Sequence, residues 1–515
     1  MPWHLLGIEV SMVDHNTPVV SPRVIKCLTL GALGATAALF SDSHSVFTLT
    51  VTFASLLAVY ELWRIITRPW QVRFSEILSI SILLGYVVGT GIYLVYLGTT
   101  KAAEYQYWQH YGLYYDQQSL GLALAALLAA SALLYAVSGW ESSKEILKSP
   151  IPSFTPKAAR IVWLGVLLVL LALYAGQIGY MGATTDESGR ITALGALAVL
   201  ITPPMVPYTL ALATSGNPLA KRCLLWAALA LLISVTFVLG RRYLVYVLVL
   251  SAMVLFARRN RLSLGHLLVI VLLGVIAVVA LYWGFKFFMA LRLAVWQLGP
   301  DADLWAQASM AWSMLGGDQS FEIEARLTEN VGTRTFMLSY FAGLVGIGIG
   351  SLPTFGKELL YSLKMAVPSL LMPGKTGSLS SSPEELIHPF YGIPVFDGPN
   401  SIVVAGYDDF GFVGVALYPV VLVMLYMGFY GAVCRVTRQQ PIRLFVLFAL
   451  LFQLLYVEQS LTASFVALRD LLILLALFSI LMYMPVARFF KPVGRDGSLP
   501  IVARNTSFVQ RKERR

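Results

Sequence analysis

Charge is scarce in this 515-residue chain: Asp, Glu, Lys and Arg make up 12% of it, against 57% hydrophobic residues and a mean hydropathy of +0.73. Soluble globular domains carry about 25% charged residues, so that class is excluded. Cysteine is scarcer still, and Cys27, Cys223 and Cys434 are too few and too scattered for a disulfide framework or a metal cluster. Six histidines stand without paired spacing, so no transition-metal site and no cofactor are expected. The first 22 residues lack a basic start, a compact apolar core and a small-residue cleavage site, so the first helix is expected to insert uncleaved. Ten-residue polar/apolar alternation is missing as well, which argues against a membrane barrel.

What the chain has instead is apolar runs long enough to cross about 30 Å of hydrocarbon. Twelve spans are expected at 24 to 40, 46 to 63, 75 to 97, 118 to 139, 160 to 180, 191 to 213, 222 to 239, 243 to 257, 263 to 288, 410 to 434, 443 to 458 and 465 to 484. The fold class is therefore all-α, a polytopic integral membrane helical bundle. It divides into spans one to nine (1–288), a large outer loop (289–409), spans ten to twelve (410–484) and a basic tail (485–515). Alternate connections and the tail hold 25 of the 37 Lys and Arg, which predicts that both termini are cytoplasmic. The tail supplies most of the net charge of +10 and suits contact with anionic lipid; no nucleic-acid partner is expected.

In TFVLGRRYLVYVLVL, Arg241 and Arg242 interrupt an apolar stretch from Cys223 to Ala257. Gly240 permits a tight turn between two short spans, putting both arginines at the outer surface, against the charge rule. Cations placed there at a desolvation cost either bind a substrate anion, as guanidinium groups bind phosphate, or snorkel and pair with an acid. The outer loop is too long for a connector. It carries Arg292, Asp301 with Asp303, FEIEARLTENVGTRTF with Arg326 and Arg334, HPFYGIPVFDGPN with His388, and then GPNSIVVAGYDDFGFVG. Residues 335 to 352 read as a helix lying in or dipping into the outer leaflet, and 357 to 371 as its amphipathic companion. The two aspartates at 301 and 303 suit either a metal-holding acid pair or a helix cap.

Twelve spans with inner termini, Gly240 before Arg241 and Arg242, a late arginine-rich outer loop and GPNSIVVAGYDDFGFVG together resemble the O-antigen polymerase (Wzy) type and the related O-antigen ligases. Asn400, Gly411 and Gly414 fit the loop-to-helix motif of that superfamily, and Pro399 stands where ligases often have His. The resemblance implies a GT-C-like bundle in a bacterial cytoplasmic (inner) membrane. It also implies metal-independent glycosyl transfer on the outer side, in which polyprenyl-diphosphate-linked oligosaccharide repeat units, as donor and acceptor, are joined into a surface polysaccharide. Membrane lipid and a chain-length regulator protein are the further partners it suggests.

That chemistry needs cations for the diphosphate leaving group, here Arg241, Arg242, Arg326 and Arg334. It needs a base near the acceptor hydroxyl, here Asp408, Asp409 or His388. Asn400, Tyr407, Arg292 and Trp108 are the candidates for glycan contact. Ordinary roles remain for several of these: helix capping for the aspartates, an exposed loop position for His388, and an interfacial aromatic belt for Trp108 and its neighbouring tyrosines. Glu458 and Arg469 are expected to pair with each other or with a neighbour. A ligase and a flippase or transporter are the alternatives; the latter should show broken helices in both halves, and Pro203 with Pro204 mark a break in the sixth span.

Overall fold

A computed structural model describes residues 21–69, 72–100, 107–141, 155–175, 178, 193–215, 219–258, 282–299, 302–317, 319–324, 335–348, 353–368, 371–372, 383–395, 398–437 and 439–483. Among them there is helix and no strand. In chain order the helices are α1 (Pro22–Leu39), α2 (His44–Thr67), α3 (Phe74–Ile82), α4 (Gly89–Thr100), α5 (Gln117–Val137), α6 (Pro156–Tyr174), α7 (Ala193–Ala213), α8 (Leu219–Leu239) and α9 (Arg241–Arg258). After them come α10 (282–298), α11 (Leu304–Gly316), α12 (Met337–Gly348), α13 (Lys357–Ala366), α14 (Pro383–Ile387), α15 (Ile402–Val436), α16 (Gln440–Leu455) and α17 (Leu461–Tyr483).

Among the described residues, eight helices are long and apolar enough to cross a membrane, which makes the chain a multi-pass helical membrane protein. Every expected span but the ninth coincides with a helix; of the ninth, only 282–288 is described, as the start of α10. The basic tail lies outside the described residues. Gly240 does separate α8 from α9, with its amide bonded back to the Thr236 carbonyl at 3.1 Å. The break expected at Pro203 and Pro204 is not there: α7 runs through both and through Pro207. Neighbouring helices bury 83% of the most apolar part of α7, and the Thr202 hydroxyl bonds the Ala198 carbonyl at 2.6 Å. Prolines persist in membrane helices that neighbouring helices enclose.

The core is built around α5, which is buried along both of its flanks and starts at a reciprocal cap between Asp116 and Ser119. A π-helical stretch, Leu83–Val88, joins α3 to α4. Close approaches fix it there: a Cβ on Gly85 would strike Val457, and one on Gly89 would overlap the Thr335 carbonyl. α12 is the surprise of the loop. Met337 to Val345 are all buried within protein, so it is a helix inserted in the bundle rather than one lying in lipid. Its twelve residues span only about 18 Å, too short to cross.

At the end of the bundle where charge counting puts the cytoplasm, three helices share a buried ion network. Glu61 on α2 accepts from Lys26 of α1 at 2.7 Å and from Arg64 at 2.8 Å, and Arg64 also reaches Glu76 of α3 at 2.8 Å. Glu141 caps α3 by accepting the Phe74 and Ser75 amides at 2.8 and 2.9 Å.

Candidate functional site

The stretch GYDDFGFVG folds into a reversal. In a continuous helix Gly406 and Gly414 would lie about 12 Å apart. Phe410 (φ −138°) and Gly411 (φ 61°, ψ −148°) leave helical geometry instead, and the chain turns back on itself. Gly406 and Gly414 then touch so closely that a Cβ on either would overlap the carbonyl oxygen of the other. Only glycine adopts the Gly411 conformation cheaply. Thus α15 is two pieces: a short re-entrant helix, Ile402 to Asp409, and a longer one after the turn. Ser401 begins the first, its hydroxyl accepting the Val403 and Val404 amides at 3.2 and 3.3 Å and joining Tyr86 of the π-helical stretch at 2.7 Å.

The two adjacent aspartates at the reversal have opposite environments. Asp409 does cap a helix, but not its own. Its Oδ1 accepts the Glu358 amide at 3.0 Å and the Thr354 hydroxyl, and its Oδ2 accepts the Leu359 amide at 2.9 Å and the Tyr418 hydroxyl at 2.5 Å. Four donors occupy the carboxylate, which holds the start of α13 just after Phe355 (φ 54°) and Gly356 (φ 86°). Asp408 caps nothing. Its Oδ1 accepts from the Tyr391 hydroxyl at 2.6 Å, while its fully buried Oδ2 has no partner within the protein.

Beside Asp408 lies Glu358, 1% exposed, neither of whose carboxyl oxygens has a hydrogen-bond partner. Burial, and then the neighbouring Asp408, Asp409 and Glu384 carboxylates, push this group well above the usual carboxylate range; the nearby Asn400 amide opposes them. Asn400, 4% exposed, makes no side-chain hydrogen bond of good geometry. Five buried polar atoms of Asp408, Glu358 and Asn400 therefore lie near one another without a hydrogen bond of good geometry to the protein. Each such atom costs about 1–3 kcal/mol unless water or a ligand satisfies it. Burial and Asp408 also raise the Tyr391 phenol, so it remains a donor.

His388 is not the exposed loop residue that its sequence context suggests. It is fully buried, its Nε2 is 3.0 Å from the Tyr340 hydroxyl, and the ring bonds the Pro394 carbonyl. Burial lowers its pKa to about 4, so the ring is neutral at pH 7 and would take up a proton only at a cost. This suits a structural clamp on 383–395 better than a base. Trp108 is likewise locked: 2% exposed, its indole donates to Ser339 at 2.9 Å and packs on Tyr340, with ring centres 5.3 Å apart. It is neither an interfacial residue nor open for stacking on a sugar. Tyr407, 6% exposed, packs against Phe341 and Phe412.

The cations are less concentrated. Arg242 forms an ion pair with Glu458 in the turn between α16 and α17, so it meets an acid rather than standing open to an anion. Arg469 pairs with Asp470 at 2.7 Å and also reaches the Met365 carbonyl at the end of α13. Arg292 lies apart from the reversal in its contacts, stacked over Trp296 on α10 at 4.8 Å. Only the backbone of Arg241 is described, and Arg326, Arg334 and Asp301 lie outside the described residues. Asp303 precedes α11 without a side-chain cap bond.

Of the residues expected from sequence, the structure brings Asp408, Asp409, Asn400, His388, Tyr407 and Trp108 into one connected region. Glu358, Tyr391, Thr354 and Tyr340 complete it and were not anticipated. One signal was readable for Glu358: in KELLYSLKMA, helical spacing puts Glu358, Tyr361 and Ser362 on one face and leaves Leu360 and Leu363 off it. Comparison with protein-family models, with characterised proteins and with solved structures finds no match to this chain.

Proposed function

We propose that this membrane protein is a glycosyltransferase that joins polyprenyl-diphosphate-linked oligosaccharide repeat units into a surface polysaccharide on the outer side of the bacterial cytoplasmic membrane. The observation that carries the reading is the unpartnered Asp408 Oδ2, buried beside Glu358 and Asn400 at a helix reversal. A carboxylate oxygen held in this way by a single tyrosine is placed to take the proton of an acceptor hydroxyl. Sugar hydroxyls, each donor and acceptor at once, match the mixed set of carboxyl and amide atoms around it.

In this reading the acceptor hydroxyl gives its proton to Asp408 and its oxygen attacks the anomeric carbon of the donor glycan. The bond to the lipid diphosphate breaks, with the electron pair leaving on the diphosphate oxygen. Arg241 and Arg242 are the diphosphate cations, with Arg326 and Arg334 from the loop. Arg242 must exchange Glu458 for phosphate oxygens, a substitution that a bidentate guanidinium can make because both partners offer the same geometry. Asp409 serves by holding α13 in place. A ligase uses the same chemistry with a lipid-core acceptor.

A transporter is the second reading, favoured by the re-entrant helix with buried carboxyls, an arrangement that also suits ion-coupled transport. Purified protein in proteoliposomes, supplied with lipid-linked repeats on its outer face, separates the two. Elongated lipid-linked glycan from the unaltered protein and none from Asp408→Asn is the expected result. Movement of repeats across the bilayer without elongation would overturn it in favour of transport.

A further inference from the structure

The buried site holds two carboxyl groups side by side, and proton abstraction from the acceptor uses only one. Glu358 comes from α13 and Asp408 from the reversal of α15, so two separately folded segments deliver them to one place. Among the described residues, the titratable groups interacting with Glu358 are acidic or phenolic: Asp408, Asp409 and Tyr418 from α15, Glu384 from α14, Tyr340 from α12, and Tyr361 from its own helix. Asn400 is the amide beside it. Among the described residues, no ion pair reaches Glu358, Asp408 or Asp409.

An ionised carboxylate next to Asp409 in this interior, with no cation to balance it, bears a desolvation cost together with like-charge repulsion; that holds for Asp408 as for Glu358, and of the two only Asp408 has a hydroxyl donor, Tyr391, to offset it. A protonated carboxyl bears neither and gains what the site otherwise lacks. Asp409 is an acceptor already filled, Asp408 offers an acceptor, and Tyr391 spends its proton on Asp408. The side-chain amide of Asn400 is the one other donor among the unpartnered atoms. A second donor pointing at a sugar would have to be the O–H of Glu358.

We propose that Glu358 is a further catalytic residue, which stays protonated through the reaction while Asp408 is the ionised base, and whose O–H donates a hydrogen bond to the acceptor sugar. The assignment rests on the glycosyl-transfer reading. The acceptor proton moves to Asp408 Oδ2 and is released to water after product leaves, so Glu358 starts and ends the cycle with its own proton. It positions the sugar so that the reacting hydroxyl faces Asp408, and Asn400 completes the grip.

Glutamine imitates a protonated glutamate in shape and in donor capacity, which separates this role from that of a second base. Infrared difference spectra of the full-length protein in nanodiscs, unaltered minus Glu358→Gln, should contain the carbonyl stretch of a protonated carboxylic acid at neutral pH. The same band should persist in Asp408→Asn. Glu358→Gln should keep polymer formation within about tenfold of the unaltered protein, the factor for one hydrogen bond of about 1.4 kcal/mol. It should also lose any fall in rate at alkaline pH that comes from Glu358 ionising, whereas Glu358→Ala should lose activity and keep its fold.

A difference spectrum without that band means Glu358 is ionised, and the inference fails whatever reaction the protein performs. With the band present, a Glu358→Gln variant as inactive as Asp408→Asn makes Glu358 a proton-transferring group and overturns its role as a hydrogen-bond donor. Polymer formed at full rate by both Asp408→Asn and Glu358→Ala would remove the catalytic assignment together with the reading on which it rests.

Discussion

Replacing Asp409 by alanine should unfasten α13 and little else at first. The carboxylate accepts the amides of Glu358 and Leu359, which no α-helix can satisfy internally at its N-terminus, as well as the hydroxyls of Thr354 and Tyr418. Hydrogen bonds to a charged group contribute about 1.5–3 kcal/mol each, and the effects of groups sharing one carboxylate do not add. Counting only the two amides gives a loss of about 3–6 kcal/mol in the local stability of α13. At about 1.4 kcal/mol per factor of ten, amide hydrogen exchange over 357–366 should accelerate by at least about a hundredfold. Exchange in α5, whose own cap is Asp116 with Ser119, should stay as it was. Mass spectrometry of the protein in nanodiscs resolves the two segments. Asp408→Asn, next door, should leave exchange over 357–366 unchanged, because Asp408 holds no amide of α13. Equal protection of 357–366 in the unaltered protein and Asp409→Ala would refute the capping argument, and so would equal losses from the two variants.

Three other outcomes follow from contacts elsewhere in the fold. Glu61→Ala leaves Lys26 and Arg64 without their buried carboxylate, and breaking a buried pair costs about 3–5 kcal/mol, so the unfolding temperature in detergent should drop well below that of an exposed control such as Lys364→Ala. Gly414→Ala forces a methyl into the Gly406 carbonyl, where backbone cannot yield, and should abolish accumulation of folded protein, as read by size-exclusion chromatography. His388 has a folded pKa of about 4 against about 6.5 unfolded, so the unfolded chain binds the extra proton. The stability that this pKa difference contributes is complete above pH 6.5 and falls as pH drops toward 4; His388→Gln should flatten the stability profile in that window, on top of a pH-independent loss from its missing contacts.

The bundle was largely legible because lipid makes apolar length a direct signal: the runs beginning near Pro22, His44, Phe74 and Gln117 are helices close to where hydropathy puts them. What periodicity could not reveal was burial by protein rather than by lipid. Met337 to Val345 read the same in either solvent, and the chain packs them inside. The aspartates illustrate a second limit. Capping was a fair expectation for Asp408 and Asp409, yet the capped helix begins some fifty residues earlier, and no local pattern reports a partner at that distance. Pro203 and Pro204 signalled a break that packing suppresses, whereas Gly411, one glycine among 41, makes the real one. Burial of His388 and Trp108 depends on Ser339 and Tyr340 of α12, far from either in sequence, and has no counterpart in the sequence near either residue.

α13 carries Glu358 on its inner side and Leu360 and Leu363, 53% and 45% exposed, on its outer side, and it runs along α17 with Ser362 bonded to Thr462 at 2.8 Å. One helix diameter, about 10 Å, thus separates the exposed leucines from the buried acids. If those two leucines face lipid, the bilayer would form the outer wall of this region, and lateral pressure on them would reach the Asp409 cap and the carboxyls behind it. Hydrogen-exchange protection of 357–366 should accordingly vary with acyl-chain length and order, and detergent would replace part of the region's surroundings as well as its support.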